Sequence, residues 1–202
     1  MITIVSALKA ELRPFLDHFR ADRKIAVATG SLYYGQQPIH FLRTGIGAEK
    51  AGVILTHYLN RHQPHLLLNI GTAGALVPGI AMGTVGQIRR VTDEASGQQI
   101  SLNDFSLPLP RFNLLTVHEA ILDERRKQTA AANGAQLVDM EGFSLAKIAT
   151  QREIPFLSVK IVSDHADEQA REQFVQNLEQ LSRSLFRNVL PLIEQLQSEW
   201  VK

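Results

Sequence analysis

Short apolar runs rich in β-branched residues recur along the chain: "ITIVSA" (2–7), "PIHFLRTG" (38–45), "HLLLNIG" (65–71), "TVGQI" (84–88), "NLLTV" (113–117) and "FLSVKIVS" (156–163). Each is too short for a helix and is bounded by glycine, proline or polar residues, the pattern of buried strands. Between them lie stretches whose apolar residues fall three and four apart. Ala48 to Arg61 carries Ile54, Leu55, Tyr58 and Leu59 at that spacing, and Glu168 to Trp200 carries Phe174, Leu178, Leu181, Leu185 and Leu192, so both predict amphipathic helices. Pro191 is expected to kink or divide the second. Strands alternating with helices specify an α/β domain with a mostly parallel sheet covered on both faces. The prolines of "SLNDFSLPLPRF" (101–112) forbid a ladder or helix, which makes this segment an irregular loop and the expected mobile part of the chain. With 202 residues and no repeat or linker composition, residues 1–202 are expected to form one domain.

Charge narrows the choice of partners. The 21 basic and 20 acidic side chains are interspersed, leaving a formal net charge of +1, so the sequence carries no electrostatic footprint for nucleic acid or an anionic membrane. The absence of cysteine removes disulfide and thiolate chemistry, and the seven histidines have no metal-ligand spacing, so neither metal nor cofactor is expected. No apolar run approaches membrane-spanning length, and "MITIVSAL" is too short for the apolar part of a signal peptide. A cytoplasmic protein is expected.

In open α/β sheets ligands bind beyond the carboxyl ends of the strands, which directs attention to the polar residues that follow each apolar run. Glu11 follows the first strand in "SALKAELRPF", at a strand-to-helix junction that Pro14 restricts. "TGIGAEKAG" and "NIGTAGAL" read as glycine-rich turns that bare the backbone, with Thr44 and Thr72 adding hydroxyls for ribose, phosphate or carboxylate oxygens. Neither matches a phosphate-loop or dinucleotide fingerprint. In "LVDMEGF", Asp139 reads as a solvated charge at a helix start. Glu141 is better placed to accept from a vicinal diol, a task for paired carboxylate oxygens. Ser163, Asp164 and Asp167 close the last apolar run, where they could equally cap the next helix.

Taken in order, "ALKAE", "TGIG", "NIGTAGAL", "VDMEG" and "VKIVSDHAD" resemble the purine nucleoside phosphorylase and nucleosidase family, most closely its methylthioadenosine/S-adenosylhomocysteine nucleosidase branch. The likeness spans Met1 to about Asp167, and "VDME" with "SDHAD" is its most specific part. The resemblance implies a nucleoside phosphorylase-like fold, a central twisted mixed sheet flanked by helices, in a homo-oligomer with a dimer favoured. It implies cleavage of the N-glycosidic bond of a purine nucleoside, such as a 5′-modified adenosine. Asp164 would protonate the purine at N7 beside Ser163, Glu11 would activate the attacking water, and Thr72 would hold that water or a phosphate oxygen. Glu141 would bind the ribose 2′ and 3′ hydroxyls, with Met140 packed beneath the sugar. Leu8 and Ile46 would line the site for the 5′ substituent. The chemistry suits these groups, because adenine leaves poorly as an anion and needs a proton while the sugar becomes oxocarbenium-like.

The chain also departs from the family. The stretch Arg90 to Leu114 is shorter than in the nucleosidases, so a lid element is expected to be trimmed or replaced by the 101–112 loop. Ile121 and Leu122 stand where the family stacks an aromatic ring on the base. Lys160 replaces an arginine near the ribose and nucleophile, keeping the charge without the planar fork. Asn69 stands where phosphorylases carry an arginine, and with Glu11 it favours water over phosphate as nucleophile. Arg13, Arg43 and Lys160 remain possible phosphate cations, so phosphorolysis is the alternative. A noncatalytic nucleoside-binding protein is the second alternative, against which the retention of both Glu11 and Asp164 argues.

Overall fold

A computed structural model describes residues 1–200. Ten strands and five helices alternate along the chain in the order β1 (Ile2–Ser6), α1 (Lys9–His18), β2 (Arg23–Val27), β3 (Gly30–Tyr34), β4 (Ile39–Arg43), α2 (Ala48–Leu59), β5 (Leu66–Ala75), β6 (Val85–Asp93), β7 (Gln99–Ser101), β8 (Arg111–Thr116), α3 (Glu124–Ala132), β9 (Leu137–Asp139), α4 (Gly142–Gln151), β10 (Phe156–Asp164) and α5 (Ala170–Trp200). All six apolar runs are strands, and both periodic stretches are helices. The sheet is mixed, not mostly parallel: β1 pairs parallel with β4 and β5, β5 with β10, and β8 with β6 and β9, whereas β5–β9, β6–β10, β6–β7 and the β2–β3–β4 meander are antiparallel.

The side-chain alternation of the strands sorts the core into two layers. Ile2 and Ile4 of β1 and Leu66, Leu68 and Ile70 of β5 face α1 and α5, where they meet Leu12, Phe15, Leu185, Val189 and Ile193. Val5 and Leu67 face the other way, onto Ala51, Ile54, Leu55, Leu145 and Ala149 of α2 and α4. Both faces are thus covered, which explains why β5 and β10 read as nearly continuous apolar runs.

Strand β5 organises the molecule. One edge pairs with β10 from Leu67 to Gly74. The other pairs first with β1, from Leu66 to Asn69, and then with β9 at Gly74 and Ala75. Because β10 also pairs with β6, β6 with β8 and β8 with β9, the strands β5, β10, β6, β8 and β9 close into a ring. Between the departure of β1 and the arrival of β9, residues 70–73 have no strand on that edge, and there the sheet forks open.

Three local expectations change. The stretch "NIGTAGAL" is no turn, since β5 continues through both glycines to Ala75. Helix α5 runs undivided through Pro191. That proline and Arg187, whose carbonyl loses its partner, are both on the exposed side, where water can satisfy the oxygen. Pro14 likewise sits in the second turn of α1, past the first-turn position that suits proline best. The 102–110 segment is irregular but tethered: Leu107 is buried, Phe105 and Leu109 pack on the α1/α5 core, and Asn103 accepts from the Phe156 amide at 2.9 Å. Among the described residues no helix is long and apolar enough to cross a membrane.

Candidate active site

A cavity of about 420 Å³ opens at the fork and is lined by Glu11, Asp164, Leu8, Ile46, Thr72, Ile121, Leu122, Met140, Glu141, Lys160 and Ser163, whereas Thr44, Asp167, Arg13 and Arg43 lie outside it. Glu11 occupies the first turn of α1 and is 2% exposed. Its Oε2 accepts from the Ser6 hydroxyl and from the Leu8 amide at 3.1 Å. Its Oε1 accepts from both the amide and the hydroxyl of Thr72, each at 2.9 Å. Thr72 therefore holds the carboxylate itself, a different task from the water or phosphate contact implied by the resemblance. Thr44 is fully buried, and its hydroxyl bonds the carbonyls of Ser6 and Gly45, so it is a structural group and no ligand donor.

A bulge in β10 aims the second carboxyl group. Val162 pairs with Ala73 and Asp164 with Gly74, so Ser163 is an extra residue that shifts the alternation by one. Asp164 then lies against Gly74, where a Cβ would stand 2.7 Å from its Oδ1. The Ala166 amide donates to that oxygen at 2.9 Å, and the Ser163 hydroxyl lies 2.6 Å from Oδ2. Neither residue caps the next helix. Helix α5 starts at Ala170, and Asp167 serves its start by accepting from the amides of Gln169 and Ala170.

Glu141 precedes α4, and its Oε1 accepts from the amide of Gly47 at 2.7 Å. Gly47 has φ 104°, a left-handed value that only glycine adopts without strain, so the turn before α2 is built to offer this amide. Burial, then Asp139, pushes the Glu141 carboxyl up to about 7, while Lys160 and the Gly47 amide pull it down and Glu11 adds to the rise.

Asp139 is not a solvated charge. It is 7% exposed, its Oδ2 is 2.8 Å from Lys160 Nζ, and its Oδ1 accepts from Thr116 Oγ1 at 2.8 Å. It also accepts from the Gly142 amide at the start of α4, so a helix-start role exists but in the core. Lys160 is 2% exposed. Burial disfavours its charge, yet Asp139, Glu141 and Glu11 together outweigh burial and hold its pKa above the ordinary value. The pair ties the end of β9 to the middle of β10 with its charges neutralised in place.

Two lining residues escaped the sequence reading as site residues. Phe174 is the only aromatic ring on the cavity wall among the described residues, and Arg171 lines the wall one turn before it. Both were visible as part of an amphipathic helix, and the signal that could have singled them out is position, since the first turns after β10 return over the same sheet edge. No residue between 90 and 114 lines the cavity within one chain. Among the described residues no group of three or more His, Asp or Glu side chains could hold a metal ion.

Fold and cavity together define an α/β protein of the nucleoside phosphorylase-like class, with Glu11 and Asp164 at the carboxyl ends of strands parallel to β5 and Glu141 just after the antiparallel β9. The chain belongs to the phosphorylase superfamily, whose family model matches residues 1–113 and 112–194. It is 25% identical over 228 residues to the 5′-methylthioadenosine/S-adenosylhomocysteine nucleosidase of Staphylococcus aureus strain JH9, covering 97% of this chain and 100% of that protein. Its fold is similar to that of the Helicobacter pylori 5′-methylthioadenosine/S-adenosylhomocysteine nucleosidase with butyl-thio-DADMe-Immucillin-A, with a TM-score of 0.88, 18% identity, and 96% and 97% of the two chains covered. It is also similar to that of the Arabidopsis thaliana 5′-methylthioadenosine nucleosidase in apo form, with a TM-score of 0.87, 22% identity, and 96% and 94% covered.

Proposed function

We propose that this protein is a nucleosidase that hydrolyses the N-glycosidic bond of a 5′-modified adenosine such as methylthioadenosine or S-adenosylhomocysteine, with residues 1–202 acting as one domain. The observation that carries this reading is the pair of carboxyl groups in one cavity, Glu11 fixed by four donors and Asp164 aimed by a bulge. Asp164 gives a proton to N7 as the C1′–N9 bond breaks and its electron pair passes to the purine. Water bonds to C1′ and loses a proton to Glu11, and the products are the free base and the sugar. Glu141 accepts from the 2′ and 3′ hydroxyls, Met140 packs beneath the ribose, and Ser163 orients Asp164. Ile121 and Leu122 flank the base, Leu8 and Ile46 receive the 5′ group, and Lys160 acts through Asp139 as a fixed counter-charge. The named relatives act on such nucleosides and support the same reading.

Hydrolysis is favoured over phosphorolysis because a dianion needs free cations beside the sugar. Asn69 donates to the Val5 carbonyl at 3.2 Å and accepts from Ser158 at 3.0 Å, Lys160 is held by Asp139, and neither Arg13 nor Arg43 lines the cavity. We further propose a cytoplasmic homodimer, the dimer supported by the large apolar side chains of Ile46 and Val53, which are left 55% and 49% exposed.

The test is product analysis on a panel of purine nucleosides with and without phosphate. Free adenine and free sugar at a rate indifferent to phosphate are expected. Turnover should fall at least ~10²-fold in Asp164→Asn with binding retained, within the usual range for lost acid catalysis. Sugar 1-phosphate formed only with phosphate would overturn hydrolysis, and a fully active Asp164→Asn protein would remove the acid.

A further inference from the structure

Among the described residues two cations line the cavity, and they differ in what holds them. Lys160 is committed to Asp139 at 2.8 Å. Arg171 is exposed, and among the described residues its side chain has neither an ion pair within 4.0 Å nor a hydrogen bond. Its neighbour Glu172 is turned to Gln176, which donates to it at 2.8 Å. Arg171 is the second residue of α5, where the helix dipole is positive and a cation is electrostatically disfavoured, so helix stability does not account for it.

Arg171 reaches the cavity from the first turn of α5. Strands β1 and β10 both run parallel to β5, and α1 and α5 follow them and pack together on one face of the sheet. Phe15 of α1 meets Phe186, near the middle of α5, with ring centroids 5.0 Å apart, so the first turns of the much longer α5 reach beyond those of α1. Leu8 immediately precedes α1, and Phe174, three residues after Arg171, shares its helix face. Leu8, Ile46 and Phe174 all line the cavity, Leu8 and Ile46 on the side proposed for the 5′ substituent, and the exposed Arg171 lines it one turn from Phe174.

We propose that Arg171 is a specificity-determining residue that receives a carboxylate at the tip of the substrate's 5′ substituent. The preferred substrate class is then a 5′-modified adenosine whose 5′ chain is apolar next to the ribose and anionic at its end. This deepens the nucleosidase reading and rests on it. The guanidinium fork matches a carboxylate bidentately, which an ammonium cannot do. It also offsets the repulsion that the carboxylates of Glu11 and Glu141, lining the same cavity, exert on an anionic substrate.

The test compares kcat/KM for two synthetic nucleosides of equal length, 5′-deoxy-5′-(3-carboxypropylthio)adenosine and its primary amide. The unmodified protein is expected to prefer the carboxylate about 10-fold, the scale of one charge-assisted contact at a partly screened site. In Arg171→Gln that ratio should fall to about 1, carried by KM and not kcat, with Arg171→Lys between the two and added salt eroding the preference. A ratio that Arg171→Gln leaves unchanged overturns the proposal. So does inorganic phosphate that accelerates the unmodified protein but not Arg171→Gln, because Arg171 would then serve the nucleophile. If the unmodified protein releases adenine from neither nucleoside, the nucleosidase reading itself fails; if it cleaves both with a ratio indifferent to Arg171, only this inference falls.

Discussion

Glu141 shows how burial sets the working range of one carboxyl group. Its pKa is raised from 4.5 to about 7, first by burial and then by Asp139, against Lys160 and the Gly47 amide. Because the folded protein holds this proton more tightly than the unfolded chain, the group costs stability as pH rises from about 4.5 to about 7. The same ionisation creates the acceptor for the ribose diol, so kcat/KM should rise through that range. Glu141→Gln should remove the alkaline-going rise, flatten the fall in melting temperature over the same interval, and lower transition-state binding by about 2 to 4 kcal/mol. Profiles of kcat/KM and of melting temperature against pH check both. Asp139 stands two residues away and was misread from sequence. Its partner Lys160 lies 21 positions on and becomes a neighbour only through the pairing of β9 and β10 with β5. Local pattern carries the residue types of a site, but a buried ion pair is made by the sheet.

At the scale of elements, the apolar runs were legible because β1, β5 and β10 are buried on both faces. The hairpin β2–β3 was not, since β2 is an edge strand whose "RKIAV" is almost wholly exposed and has no core face to mark it. Strand β9 has only three residues, and its pairing with β5 and β8 defines it more than its sequence does. The glycines of β5 were visible and misassigned. They are strand residues whose missing side chains leave room for two carboxyl groups: a Cβ on Gly71 would stand 3.3 Å from Glu11 Oε1, and one on Gly74 2.7 Å from Asp164 Oδ1. Gly74→Ala should therefore displace Asp164 while the ladder on both sides of β5 persists. Turnover should fall at least ~10²-fold, as for loss of the acid, with far-ultraviolet circular dichroism unchanged. An active Gly74→Ala protein would refute this account of the strand.

For the whole molecule, the proposed dimer makes a hydrodynamic prediction. Sedimentation should give about twice the 22.5 kDa chain mass, and the double substitution of Ile46 and Val53 by lysine should give the monomer. A monomeric unmodified protein would remove the dimer. The fork in the sheet has a different consequence. At Thr72 the open edge of β5 has no strand beside it, and Glu11 takes that amide in its place. The carboxylate acts there as a one-residue surrogate for an absent strand. A descendant of this chain that gave up cleavage and merely bound its nucleoside would still need an acceptor for a partly buried ladder amide. Selection for folding alone would therefore tend to keep the glutamate, and a retained Glu11 testifies to the architecture as much as to the reaction.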